Sequence, residues 1–163
     1  MEIGCCRELV FAGGQVRTPT LSQKAREEWG TLNSERNSMI VGTGIDIAEV
    51  PRIRMSIERF GDRFVQRIFT AGEIRYCESK ANRVERYAAR FAAKEAAMKA
   101  LGTGWNHGVR WRDCEVVRMP GGRPTMSFHG KAGEIAARLG VKNAALSISH
   151  TADQAIAQVI LES

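Results

Sequence analysis

Cysteine, aromatic residues and long apolar runs are all scarce in this 163-residue sequence. The four cysteines stand at 5, 6, 77 and 114, none in C-x-x-C spacing, and the neighbours Cys5 and Cys6 are poorly placed to bridge each other. This argues against a zinc site and points to a reducing, cytoplasmic compartment. Aromatics are 7% of the residues, too few for a base-stacking platform, and no recognisable nucleic-acid motif accompanies them. No apolar run approaches the roughly 18 residues of a membrane span. The N-terminus lacks the signal-peptide order of charge, apolar run and small-residue cleavage site. There is no internal repeat, low-complexity tract, P-loop, G-x-S-x-G or H-E-x-x-H. What remains is a chain long enough for one domain with a real core.

Its charge is uneven. The net charge is +6, yet residues 1–38 carry five Lys/Arg and five Asp/Glu, so the whole excess lies in residues 39–163. Such a surface suits an acidic partner: nucleic acid, a polyphosphate or an acidic protein. Residues 1–38 show little regular pattern and read as a weakly structured extension with a short helix near 22–29. Met39 opens the strongly patterned region.

"MIVGTGIDIAEV" (39–50) alternates as a strand, with Ile40, Gly42, Gly44 and Asp46 on one face and Val41, Thr43, Ile45 and Ile47 on the other. Glycine weakens a strand, so a pair on one face marks close approach of another backbone or a ligand. Pro51 suits the first turn of a helix running to about 68. Its apolar face is Ile53, Ile57, Phe60, Phe64 and Ile68. Arg52, Arg59 and Arg63 share another face. Gly61 is a candidate helix break, but the phase persists across it. Thr70 and Glu73 form a T-x-x-E capping box for a short helix to about Lys80. "RYAARFAAKEAAMKAL" (86–101) is a helix with Tyr87, Phe91, Met98 and Leu101 on one side, closed by Gly102. Lys94 falls inside that apolar side, and Glu95 and Lys99 lie along its edge. "GTGWNHG" (102–108) reads as loop. Two hairpins (113–119 with 124–129, and 144–150 with 155–162) flank a short helix at 130–140. The fold class is α+β, an antiparallel sheet packed against helices.

If the 86–101 helix packs on the first strand, Asp46 and Glu95 converge. Converging carboxylates repel unless a cation neutralises them, and Mg²⁺ takes one or two carboxylates plus substrate phosphates. Arg90, Lys94 and Lys99 would then be phosphate partners. The plainer reading has Asp46 capping a turn and Glu95 paired with Lys99 at the surface. Lys94 weighs a little against it, because an unpaired buried ammonium costs several kcal/mol, although snorkelling would also explain it. His150 ends a strand beside Thr151 and is either structural or a site residue. The arginine stripe is either a solvated face or a receiver for an acidic helix.

The segments "GTGIDIAEVPRI", "RFVQRIFTAGEIRYC", "ARFAAKEAAMKALGTG", "GGRP" and "LSISHT" together resemble holo-acyl-carrier-protein synthase, the small bacterial-type class of 4′-phosphopantetheinyl transferases. The resemblance runs from Met39 to the C-terminus, 125 of the 163 residues, and leaves the 38-residue leader without a counterpart. It implies the fold of that family over residues 39–163. It also implies a role in fatty acid biosynthesis: transfer of the phosphopantetheine arm of coenzyme A to a serine of an apo carrier protein, with release of 3′,5′-ADP and use of Mg²⁺. By motif, Asp46 and Glu95 would be metal ligands. Lys99, with Arg90, Lys94 and His150, would contact coenzyme A phosphates. Gly102, Gly104 and Pro124 would border the nucleotide, with Thr151 beside His150. The resemblance further implies a homotrimer with active sites between subunits, and an acidic carrier received by Arg52, Arg59 and Arg63.

Mg²⁺ and cationic side chains would neutralise charge developing on the pyrophosphate. The serine proton needs a base: Glu95, directly or through a metal-bound water, or else His150, whose ordinary pKa suits the task. Two readings from other classes stand beside this one. A basic, non-enzymatic module accounts for the charge but not for the two acids; a metal-dependent phosphohydrolase shares the carboxylates but needs an open route for water.

Overall fold

The computed structural model describes residues 39–104 and 107–163; the expected extension at 1–38 lies outside the described residues, as do Trp105 and Asn106 of the expected 102–108 loop. Five strands form one antiparallel sheet: β1 (Ile40–Glu49), β2 (Cys114–Arg118), β3 (Pro124–Phe128), β4 (Asn143–His150) and β5 (Gln154–Glu162), in the order β1-β5-β4-β3-β2. The helices are α1 (Val50–Phe60), α2 (Asp62–Ile68), α3 (Ala71–Glu78), α4 (Arg83–Ala100) and α5 (Gly130–Arg138), with a 3₁₀ turn at Trp111–Asp113. The α+β expectation holds.

Two strand glycines fix the centre of the fold. A Cβ at Gly44 would collide with the carbonyl oxygen of Ala96, and one at Gly42 with that of Ala100. The close approach inferred from the strand is therefore that of the α4 backbone. Ala88, Ala92 and Ala96 of the helix are wholly buried. The alanines beside the large apolar stripe are core positions too, and α4 is buried on most of its circumference.

The helix expected over 51–68 is broken into two at its candidate break, Gly61. Gly61 adopts φ +53°, which ends α1 and starts α2. The break turns Phe60, expected in the apolar face, out to 53% exposure, while Ile53, Val65 and Ile68 remain buried. It also puts Arg63 on a different helix from Arg52 and Arg59. The capping box forms as expected: Glu73 N–H donates to Thr70 Oγ1 at 3.3 Å, and Thr70 N–H donates to Glu73 Oε2 at 2.9 Å.

Glu73 does more than cap. Its Oε2 also meets Lys94 Nζ at 2.8 Å, both side chains being fully buried, and its Oε1 accepts from Val116 N–H at 3.0 Å. Lys94 Nζ further donates to the carbonyls of Trp111 (3.1 Å) and Cys114 (2.5 Å). Burial pushes the Lys94 ammonium below its ordinary range, against the opposing pull of Glu73. This network ties α3, α4, the 3₁₀ turn and β2 together. Cys77 and Cys114 are wholly buried, and burial pushes both thiols up to about 12, so neither is a nucleophile.

Candidate active site

The α4–β1 crossing places Asp46 and Glu95 on the wall of one cleft of about 500 Å³, together with Glu49, Arg52, Phe91 and Trp111. The convergence expected from the sequence is therefore present. Asp46 does not cap a turn; its Oδ1 meets Lys99 Nζ at 2.8 Å, and the same ammonium donates to the Ile45 carbonyl at 3.0 Å. Lys99 is half exposed and reaches across the helix–strand seam to do this. Phe91 and Trp111 stack with ring centroids 4.7 Å apart and form an aromatic wall.

The donor set suits a hard divalent cation. Three carboxylates, Asp46, Glu49 and Glu95, line one open cleft, yet among the described residues no group of three or more His, Cys, Asp or Glu is close enough to cage a metal alone. Mg²⁺ binds in this manner, through one or two carboxylates with waters and substrate phosphates completing the shell.

Other expected site residues fall elsewhere. Lys94 is a correction: all three of its donors are engaged inside the core, so it does not face a pyrophosphate. Arg90 lies five residues before Glu95, which turns it about 140° away around the helix. It is 6% exposed, with its guanidinium carbon 3.9 Å from the Tyr76 ring centroid. Its Nε has no hydrogen-bond partner, and Arg118 and Lys80 approach the same ring at 5.1 and 5.5 Å. His150 Nδ1 lies 3.5 Å from Glu85 Oε2. Glu85 precedes Glu95 by ten residues, about 15 Å along the helix axis. One chain alone therefore does not bring His150 to the carboxylates. Thr151 Oγ1 accepts from the backbone N–H groups of Asp153 and Gln154 and shapes the β4–β5 turn. Gly102 and Gly104 follow α4 with φ +72° and +52°, and Thr103 and Gly104 N–H close the helix on the Met98 carbonyl. Pro124 opens β3, three strands from β1.

Of the arginines, Arg52 lines the carboxylate cleft, Arg59 lies over the Phe60 ring at 5.1 Å, and Arg63 is exposed on α2. Trp111 and Glu49 were not singled out from the sequence. Trp111 sits in a loop without periodicity, and Glu49 looks like an ordinary helix-entry acid.

Comparison with known proteins shows the family and the fold. A family model of the 4′-phosphopantetheinyl transferase superfamily matches residues 42–159. Over 124 residues the chain is 69% identical to a holo-[acyl-carrier-protein] synthase of Koribacter versatilis, covering 76% of this chain and 99% of that protein. It is similar to the crystal structure of the Neisseria meningitidis holo-[acyl-carrier-protein] synthase, with a TM-score of 0.70 and 33% identity over 77% of this chain and 100% of that one. The Helicobacter pylori synthase, solved in complex with coenzyme A, gives a TM-score of 0.64 and 31% identity over 73% and 98%. This chain belongs to the holo-[acyl-carrier-protein] synthase family of the 4′-phosphopantetheinyl transferase superfamily.

Proposed function

We propose that this chain transfers the 4′-phosphopantetheine arm of coenzyme A to a serine of an apo acyl carrier protein, giving the holo carrier and 3′,5′-ADP. The observation that carries this reading is the joint placement of Asp46, Glu95 and Lys99 about one cleft, in a chain of this family. Asp46 and Glu95 would hold Mg²⁺, which when bound supplies positive charge against the pyrophosphate. Lys99 holds Asp46 in place and, half exposed, extends the cationic surface toward a phosphate. Glu95 takes up the serine proton, since His150 stands near the far end of the helix within the same chain. Phe91 and Trp111 form an apolar side of the cleft; a phosphohydrolase would share the carboxylates, and the carrier-dependence of 3′,5′-ADP release separates the two readings.

The finer reading is a homotrimer whose subunits complete one another's sites. Two observations support it. Ile45 and Ile47 of β1 and Ile156 of β5 leave an apolar patch on the sheet face away from α4, and Ile47 and Ile156 pair directly in register. The expected coenzyme A contacts also fall into two groups. Lys99 stands with the carboxylates, whereas Arg90, Pro124, His150 and Thr151 lie apart; Gly102 and Gly104 cap the end of α4 nearest Lys99. A subunit boundary across the nucleotide would bring the groups together. The unpartnered Arg90 Nε, with two more cations about the Tyr76 ring, supports an incoming phosphate there. Arg52, Arg59 and Arg63 receive the acidic carrier. The protein works in the cytoplasm and serves fatty acid biosynthesis.

Residues 39–163 make the whole catalytic unit, so a chain beginning at Met39 should transfer the arm as the full chain does. Release of 3′,5′-ADP, followed chromatographically with coenzyme A, Mg²⁺ and apo carrier, tests the reading. Release without carrier would favour hydrolysis, and no release with it would refute transfer.

A further inference from the structure

Three arginines outside the α1 stripe have no ion pair with any described residue and share one concavity. Arg67 of α2 and Arg110 and Arg112 beside the 3₁₀ turn line a cleft of about 340 Å³ with Thr70, Asp113 and His129. All three arginines are exposed. The acids nearby are already engaged. Asp113 Oδ2 accepts from the backbone N–H of Arg110 at 3.0 Å. Glu115 accepts from the Thr70 hydroxyl at 2.6 Å and lies 2.9 Å from His129 Nε2. The guanidinium groups are exposed and none forms an ion pair with a described residue, although Asp113 shares the cleft, which leaves three cations against one or two engaged acids.

Their position relative to the carboxylates gives this cluster meaning. Trp111 lines the Asp46–Glu95 cleft, and its sequence neighbours Arg110 and Arg112 line the basic one. A third, apolar cleft has Met98, Val109 and Trp111 among its walls, with Arg67 and Arg110, and so shares a lining residue with each of the other two. Arg52 stands on the α1 side of the carboxylate cleft. The carboxylate cleft thus has Arg52 on its α1 side and Trp111, the residue between Arg110 and Arg112, on another.

We infer that Arg67, Arg110 and Arg112 form a second docking wall for the acidic carrier protein, so that the carrier is held from both sides of the cleft while its serine enters between them. This rests on the transfer reading above. A carrier gripped on one side only could pivot about that contact. Charges on opposite walls fix its register, and they steer its approach from a distance.

The test uses the full chain with Mg²⁺, coenzyme A and apo carrier, and measures both KM values at two ionic strengths. Arg110→Glu/Arg112→Glu should raise the carrier KM roughly tenfold at low salt. The rise should shrink as salt screens the surface, and the coenzyme A KM should hold. Arg110→Gln/Arg112→Gln, which keeps the side-chain stems near Asp113, should give a smaller rise with an unaltered thermal melt. A carrier with acidic surface residues reversed to lysine should recover activity with the Glu variant and lose it with the wild type. Reversal of Arg52 and Arg59 should multiply with the Arg110/Arg112 effect, because the two walls grip different parts of the carrier. An unchanged carrier KM in the Glu variant, with the wild type active, would overturn this inference alone. An equal rise in the coenzyme A KM would assign the arginines to the nucleotide and overturn it as well. A wild-type chain that transfers nothing would overturn the transfer reading and this inference together.

Discussion

Replacing Lys94 with methionine separates two accounts of a lysine in the apolar stripe of α4. The ammonium is fully buried, 2.8 Å from Glu73 Oε2, and donates to two backbone carbonyls. Methionine fills most of the volume but leaves the Glu73 carboxylate buried without its counter-charge. Breaking a buried pair from one side costs about 3–5 kcal/mol, so Tm should fall by roughly 10 °C or more for a folded unit of this size. Glu73→Gln/Lys94→Met should recover part of that loss, because no buried charge is left unpaired and the glutamine oxygen still accepts from Val116 N–H, while its NH2 gives up the bond from Thr70 N–H. Scanning calorimetry of wild type, single and double variants measures this, with the coenzyme A KM taken at a temperature where all three are folded. A Lys94→Met protein with an unchanged melt and a greatly raised coenzyme A KM would refute the structural role and return Lys94 to the phosphate set.

Gly44→Ala would drive a methyl into the Ala96 carbonyl of α4. Overpacking against backbone, which cannot rotate away, should cost about 3 kcal/mol or more, and an unchanged thermal melt would mean the helix does not rest on β1. Burial pushes the Glu115 carboxyl up, but the Thr70 hydroxyl and the His129 ring outweigh it and hold it below the usual range. The stability this supplies is present above the unfolded-state pKa and is lost as pH falls through the folded one, from about pH 4 downward. Glu115→Gln should therefore melt lower than wild type at pH 7 and converge with it as acid protonates the folded carboxylate; a gap that stays constant on acidification would contradict the assignment.

The frame of the fold is readable wherever signals are local and periodic. Gly42 and Gly44 alternate on one face of β1, and that regularity marked a close approach of backbone or ligand, which the α4 backbone makes. The capping box at Thr70 and the turn glycines of the hairpins are likewise decided within a few residues. What escaped depends on partners far apart in the chain. The helical wheel places Lys94 in the apolar stripe but cannot say that Glu73, 21 residues earlier, meets it there. Gly61 breaks a helix whose hydrophobic phase continues across it, so periodicity alone favoured one helix. The cleft was half legible: the carboxylates were visible as a pair, whereas Trp111, which lines it, comes from a stretch with no repeat to single it out, as do Arg110 and Arg112 of the basic cleft. The separation of His150 from Glu95 follows from where the β4 end meets α4, which no single-element pattern encodes.

The central claim, arm transfer at the Asp46–Glu95 cleft, is tested most directly by intact-mass spectrometry of the carrier. Apo carrier is incubated with coenzyme A, Mg²⁺ and either the wild-type chain, Asp46→Asn or Glu95→Gln, each variant first shown to melt as a folded protein. The account predicts that the wild type adds one phosphopantetheine arm to the carrier and that both variants leave it unmodified. A carrier that gains no mass with the wild type, or gains it at a near-normal rate with either variant, would contradict it.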